Sequence, residues 1–71
     1  MNSSMLRQIW AVIEETQTTV LLRLSDKDLV KQLLRQLDSR NPLSGEETCT
    51  VSAYIHSRTQ LIRDLAQARL A

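Results

Sequence analysis

The rest of the chain is organised around its C-terminal stretch, LSGEETCTVSAYIHSRTQLIRDLAQARLA, residues 43–71. It opens with Ser44 and Glu47 in a capping box, in which the serine oxygen accepts the amide hydrogen of Glu47 and the glutamate reaches back to the amide of Ser44. Apolar residues then recur at steps of three and four, which places them on one stripe of a helix. This stripe consists of Val51, Tyr54, Ile55, Leu61, Ile62 and Leu65. The pattern predicts a long helix over residues 45–69.

A second helix is predicted before this stretch, over residues 26–39. Ser25 can cap it, and Asp26 and Asp28 place carboxylates at the positive end of the helix dipole. The helix ends before Pro42, because the residue that precedes a proline is pushed out of the helical region. The apolar face of this helix is formed by Leu29, Val30, Leu33, Leu34 and Leu37.

The N-terminal segment predicts a helix over residues 4–24, capped by Ser3 or Ser4. Its stripe consists of Leu6, Trp10, Ile13, Gln17, Val20 and Leu24. The β-branched residues of this segment leave a β-hairpin over residues 10–24 as the alternative. The helix is favoured because no Gly, Pro, Asn or Asp lies there to form a turn, and its weakest part is TQTT at residues 16–19. Ser25 either separates this helix from the next one or lies within one continuous rod.

Length and composition indicate one small helical domain over residues 1–71. The chain is 42% hydrophobic and 24% charged, which is the balance of a folded globular protein. With two aromatic residues, its core must be aliphatic. The predicted fold is all-α, with two or three amphipathic helices in an antiparallel hairpin or bundle. Homodimerisation is predicted to complete it, because so short a chain buries barely enough apolar area to offset the cost of ordering it.

The first and third helices carry the longest apolar stripes, so they are predicted to form the dimer interface with Trp10 as the largest anchor. Gln17 and Arg58 interrupt the stripes, at positions where polar residues can fix register. Arg58 either lies along the surface with its charge in water or is buried against Glu14 or Glu15. The predicted self-association residues are Leu6, Trp10, Ile13, Gln17, Val20, Val51, Ile55, Arg58, Leu61, Ile62 and Leu65.

Catalysis, a metal site and a cofactor are not expected. Cys49 is the only cysteine and His56 the only histidine, which is too few for a zinc site. Seven residues apart on one helix, they lie on nearly the same face but about 10 Å apart, beyond hydrogen-bond reach. There is no glycine-rich phosphate loop, because Gly45 belongs to a helix start.

The charge pattern gives a nucleic-acid-binding function only as an alternative. The net charge is +1, and a small dimeric DNA- or RNA-binding regulator would use the outer face of the third helix. That face would carry His56, Gln60, Arg63, Gln67 and Arg69, interrupted by Glu46, Glu47 and Asp64. No apolar run approaches the roughly 18–20 residues of a membrane span and the N-terminus lacks signal-peptide features, so a cytoplasmic location is expected.

Three fragments resemble short helical proteins of cyanobacteria, most of them of unassigned function. The fragments are IWAVIEETQ from Ile9, LLRLSD from Leu21 and YIHSRTQLIRDLA from Tyr54. The run LVKQLLRQL from Leu29 also resembles the small adaptor that promotes phycobilisome degradation, although the order of elements around it differs. The predicted function is a small helical protein–protein interaction module, an adaptor or regulator that acts as a homodimer.

Overall fold

Five α-helices follow one another along the described part of the chain. The structure is a computed structural model and describes residues 2–70. The helices are α1 (Ser3–Glu15), α2 (Thr18–Arg23), α3 (Asp26–Arg40), α4 (Gly45–Ser57) and α5 (Thr59–Leu70). The all-helical prediction is confirmed for these residues, and the hairpin alternative for residues 10–24 is wrong. The predicted domain also includes Met1 and Ala71, which lie outside the described residues.

Side-chain caps begin three of the helices. The capping box of α4 is complete, since the Glu47 amide donates to Ser44 Oγ at 3.1 Å and the Ser44 amide donates to Glu47 Oε1 at 3.0 Å. Ser25 caps α3 by accepting from the Asp28 amide at 3.2 Å, so the break at this serine is confirmed and the continuous rod is wrong. Helix α1 is capped by Asn2 rather than by either of the serines that follow it.

The helix predicted over residues 4–24 is divided at Thr16 and Gln17. Thr16 Oγ1 donates to the Val12 carbonyl at 2.7 Å, and Gln17 has an extended backbone with ψ of 139°. A threonine hydroxyl that bonds the carbonyl four residues earlier competes with the helical ladder and favours a bend. The predicted helix is therefore divided into α1 and α2 within TQTT, residues 16–19, which was its weakest part.

The helix predicted over residues 45–69 is also divided, at Arg58. Ser57 Oγ donates to the Tyr54 carbonyl at 2.7 Å, and Thr59 Oγ1 donates to the His56 carbonyl at 3.2 Å. These hydroxyls take carbonyls that a continuous helix would offer to backbone amides, and this competition favours the bend between α4 and α5.

The apolar core closes within one chain. Helix α3 packs against α1 and α4, while α5 packs mainly against α2 and less against α4. All core residues are at most 6% exposed; they are Ile9, Val12, Ile13, Leu21, Leu29, Val30, Leu33, Leu37, Val51, Ile55, Ile62 and Ala66. The amphipathic face predicted for α3 lies inward, except that Leu34 is only partly buried. The periodicity of the sequence did not predict that α5 packs on the short helix α2.

Candidate interaction surface

Helix α5 has two apolar sides, and only one of them is covered. Thr59, Ile62 and Ala66 are buried on its inner side. Leu61 and Leu65, one turn apart on the outer side, are each 44% exposed. Ala68 is exposed and continues the outer side at helical spacing. We call Leu61, Leu65 and Ala68 the α5 leucine face.

Arg63 fixes the orientation of α5 on α2. Its guanidinium donates to the carbonyls of Leu21 at 2.9 Å and Leu24 at 2.7 Å, and to Asp26 Oδ1 at 2.7 Å. The last carbonyls of a helix have no partner inside the helix, so a cation there satisfies them and also opposes the negative end of the dipole. We call these contacts the Arg63 clamp. The clamp holds Ile62 inward.

Arg69 makes a similar contact with the end of α1. It donates to the Thr16 carbonyl at 3.1 Å and to the Ile13 carbonyl at 3.3 Å. The hypothesis of a nucleic-acid surface on the third helix had placed Arg63 and Arg69 on its outer face. Both guanidinium groups instead bind backbone carbonyls of α1 and α2, so this placement was wrong.

Because Asp26 belongs to the Arg63 clamp, we expect the stability of the fold to depend on pH through the Asp26 carboxylate. The hydrogen bond from Arg63 holds the pKa of Asp26 below its ordinary value of 3.8. A carboxyl group with a lowered pKa in the folded state stabilises the fold above its unfolded pKa, and this stabilisation is lost as the pH falls through the lower folded pKa. We therefore expect Asp26→Asn to lower the Tm at neutral pH, and the difference from the unchanged chain to disappear well below pH 3.8.

Thermal unfolding followed by circular dichroism over a series of pH values measures this difference. Asp28→Asn is the matched control, because Asp28 lies in the first turn of the same helix and is exposed. A Tm difference for Asp26→Asn that persists unchanged at low pH would contradict the assignment.

A polar–aromatic cluster joins α1 to α4. Trp10 Nε1 donates to the Tyr54 hydroxyl at 3.1 Å, and the Arg58 guanidinium lies 5.2 Å from the centroid of the Tyr54 ring. Arg58 is exposed, so its interpretation as a surface residue is confirmed. The buried alternative is wrong, since Glu15 pairs with Arg40 instead. Trp10 is partly buried against the core, with its indole N–H bound within the chain.

The predicted self-association residues fall into three groups. The group already covered by the chain's own helices, each at 0–1% exposure, is Ile13, Val51, Ile55 and Ile62. These four belong to the core of a single chain, and their role in self-association stays a prediction. The partly buried group is Leu6, Trp10 and Val20. The exposed group is Gln17, Arg58, Leu61 and Leu65.

Among the exposed residues, the structure brings Leu61 and Leu65 together on one apolar face. Ala68, which was not predicted, could have been found from its spacing of seven from Leu61.

Cys49 and His56 line an open groove of 560 Å³ between α3 and α4. The other lining residues are Leu34, Thr48, Ser52, Ala53 and Ser57. No carboxylate is among them to orient the imidazole, so the groove lacks the third group of a nucleophile–base–acid arrangement. Among residues 2–70, no group of three His, Cys, Asp or Glu side chains could hold a metal ion.

No protein-family model, curated protein or solved structure matches the chain. The resemblance to short cyanobacterial proteins therefore stays an expectation. Within the described residues, no helix combines the length and the apolar character that crossing a membrane requires.

Proposed function

We propose that this chain is a small helical protein–protein interaction module, an adaptor or regulator, that acts as a homodimer. The observation that carries the proposal is the α5 leucine face, where Leu61 and Leu65 are each 44% exposed. Single exposed leucines are ordinary, but these two lie in register on one helix face, continued by Ala68, and form one apolar surface that the chain itself leaves uncovered. A second copy offers the same face and pairs with it around a twofold axis.

Matched substitutions on α5 test the proposal. We expect the double variant Leu61→Ser with Leu65→Ser to change a dimer into a monomer in size-exclusion chromatography with light scattering, and to keep its helical circular dichroism. The reason is that both leucines lie outside the core of the single chain. Leu70→Ser is the control, because Leu70 is 64% exposed but lies on a different side of α5. An unchanged chain at the 8.1 kDa monomer mass, or a double variant that stays dimeric, would contradict the proposal.

The energy available from the α5 leucine face also limits how the dimer is built. Full burial of a leucine is worth about 1.5–3 kcal/mol, so four half-exposed leucines in two copies gain roughly 3–6 kcal/mol. Association costs an estimated 4–15 kcal/mol in lost freedom before other terms. Contact through these leucines alone is therefore weak, and a stable dimer needs further contacts between the copies.

Capture from a native lysate tests the adaptor part of the proposal. With tagged chain as bait, a specific protein partner that survives nuclease treatment supports an adaptor or regulator. Recovery of nucleic acid that is lost at higher salt would instead support the alternative of a DNA- or RNA-binding regulator, because counterion release makes such binding salt-dependent.

A further inference from the structure

We propose that the joint at residues 57–59 is a hinge, and that in the dimer α4 and α5 straighten into one helix and exchange α5 between the copies. Each α5 then packs on α2 of the second copy. This inference rests on the proposed homodimer and specifies how it is built. Four observations support it: the geometry of the joint, the bonds that bend it, the apolar pattern across it and the contacts of α5.

The joint between α4 and α5 consists of one residue outside the helices. Arg58 has φ of −114° and ψ of 10°, and its amide donates to the Ile55 carbonyl at 2.9 Å. The helical ladder resumes at once, since the Ile62 amide donates to the Arg58 carbonyl at 2.9 Å. Residues 46–70 contain no glycine or proline. Nothing in the local sequence therefore prevents a continuous helix, and the change needed is concentrated at Arg58.

The bend is held locally by two side-chain hydrogen bonds. Ser57 Oγ takes the Tyr54 carbonyl, which a continuous helix offers to the amide of Arg58. Thr59 Oγ1 takes the His56 carbonyl in the same manner. On straightening, backbone amides replace these hydroxyl donors, so the carbonyls keep partners in both conformations. The joint can therefore hold either form.

The apolar pattern across the joint is that of a single helix. Val51, Tyr54 and Ile55 precede Arg58 at steps of three and four, and Leu61, Ile62 and Leu65 continue the same steps beyond it. The bent chain covers only part of this stripe: Val51, Ile55 and Ile62 are buried, while Leu61 and Leu65 are exposed. A straight helix keeps Leu61 and Leu65 in line with the rest of the stripe, and contact with a second copy covers them.

The contacts of α5 with α2 can be remade on a second copy. Helix α5 packs mainly on α2, through the buried Ile62 and Ala66 and through the Arg63 clamp. A second copy has the same α2 and the same Asp26, so an exchanged α5 makes the same contacts between chains. Exchange of an identical element is a low-cost route to a dimer, because only the hinge changes. The exchange supplies the contacts that the leucine face alone lacks.

Complementary charge variants test the exchange. Asp26→Lys and Arg63→Glu each remove the Asp26–Arg63 ion pair from every copy when a single variant is present alone. In an exchanged mixed dimer, the Asp26 of one chain meets the Arg63 of the other, which restores one native clamp, while the second site pairs Lys with Glu. We expect native mass spectrometry of the refolded mixture to show heterodimer in excess of random pairing, with a Tm above that of either variant. A mixture in which the chains pair at random, and whose thermal unfolding curve is the sum of the curves of the two separate variants, would overturn the exchange.

A second pair of variants, at exposed positions of the hinge, covers the case that a charge variant does not fold. Ser57→Ala removes a bending hydrogen bond and should strengthen the dimer. Arg58→Gly disfavours a straight helix and should weaken the dimer about tenfold, since each dimer contains two such helices. Gln67→Gly is the control, because residue 67 is helical in both forms. Sedimentation measurements in which the unchanged chain is dimeric, but neither hinge variant shifts the dissociation constant, would overturn the exchange and leave the proposed homodimer intact. A chain that is monomeric at all concentrations would overturn both.

Discussion

Leu33→Ala is expected to remove about 2–5 kcal/mol from the free energy of unfolding, which is the range for a buried leucine cut to alanine. Leu33 is 0% exposed and lies in the middle of α3, the helix that packs against both α1 and α4. The missing atoms leave a cavity that two neighbouring helices would have to move to fill. A chain of 71 residues has a total stability of roughly 4–10 kcal/mol. The variant should therefore be partly unfolded near body temperature.

Urea unfolding followed by circular dichroism measures the loss for Leu33→Ala. Leu70→Ala makes the same chemical change at a side chain that is 64% exposed, and should shift the free energy by no more than about 0.5 kcal/mol. If Leu33→Ala cost less than about 1 kcal/mol, α3 would not be the centre of the core.

Arg63→Ala is expected to cost about 2–4 kcal/mol, because it leaves carbonyls at the end of α2 without their charged donor. The Arg63 side chain is 22% exposed, and its shortest carbonyl contact is 2.7 Å from Leu24 O. Arg63→Lys should recover only part of the loss, since an ammonium keeps the charge but lacks the planar fork that reaches several oxygens together.

Thermal and urea unfolding of the two Arg63 variants measure this effect. Arg23→Ala is the matched control, because Arg23 is an exposed arginine in the last turn of α2. Full recovery of stability by Arg63→Lys would show that charge alone, rather than the set of carbonyl hydrogen bonds, explains the role of Arg63.

Sequence signals that act locally predicted the starts of α3 and α4 and the all-helical class. The capping serines Ser25 and Ser44 and the apolar face of α3 need only neighbours within one turn, so the sequence contains them. The break at Arg58 escaped prediction because its stripe and capping box also fit a continuous helix. Two hydrogen bonds from side-chain hydroxyls and the packing of α5 on α2 favour the bend. The packing of α5 on α2 is a long-range contact.

The candidate surface was predicted only in part, because it also depends on long-range contacts. Periodicity shows which residues share a face of a helix, but not which neighbouring element covers that face. Ile62 and Leu65 therefore looked equivalent, although α2 covers the first and leaves the second exposed. The roles of Arg63 and Arg69 depend on carbonyls about forty or more residues earlier in the chain, for which no local pattern exists.

Sedimentation equilibrium of the unmodified chain, over a range of concentrations, tests whether a second copy covers the α5 leucine face. We predict a mass of twice the 8.1 kDa chain that dissociates on dilution. A single species at the mass of one chain, at every concentration, would contradict it and leave Leu61 and Leu65 as ordinary surface residues.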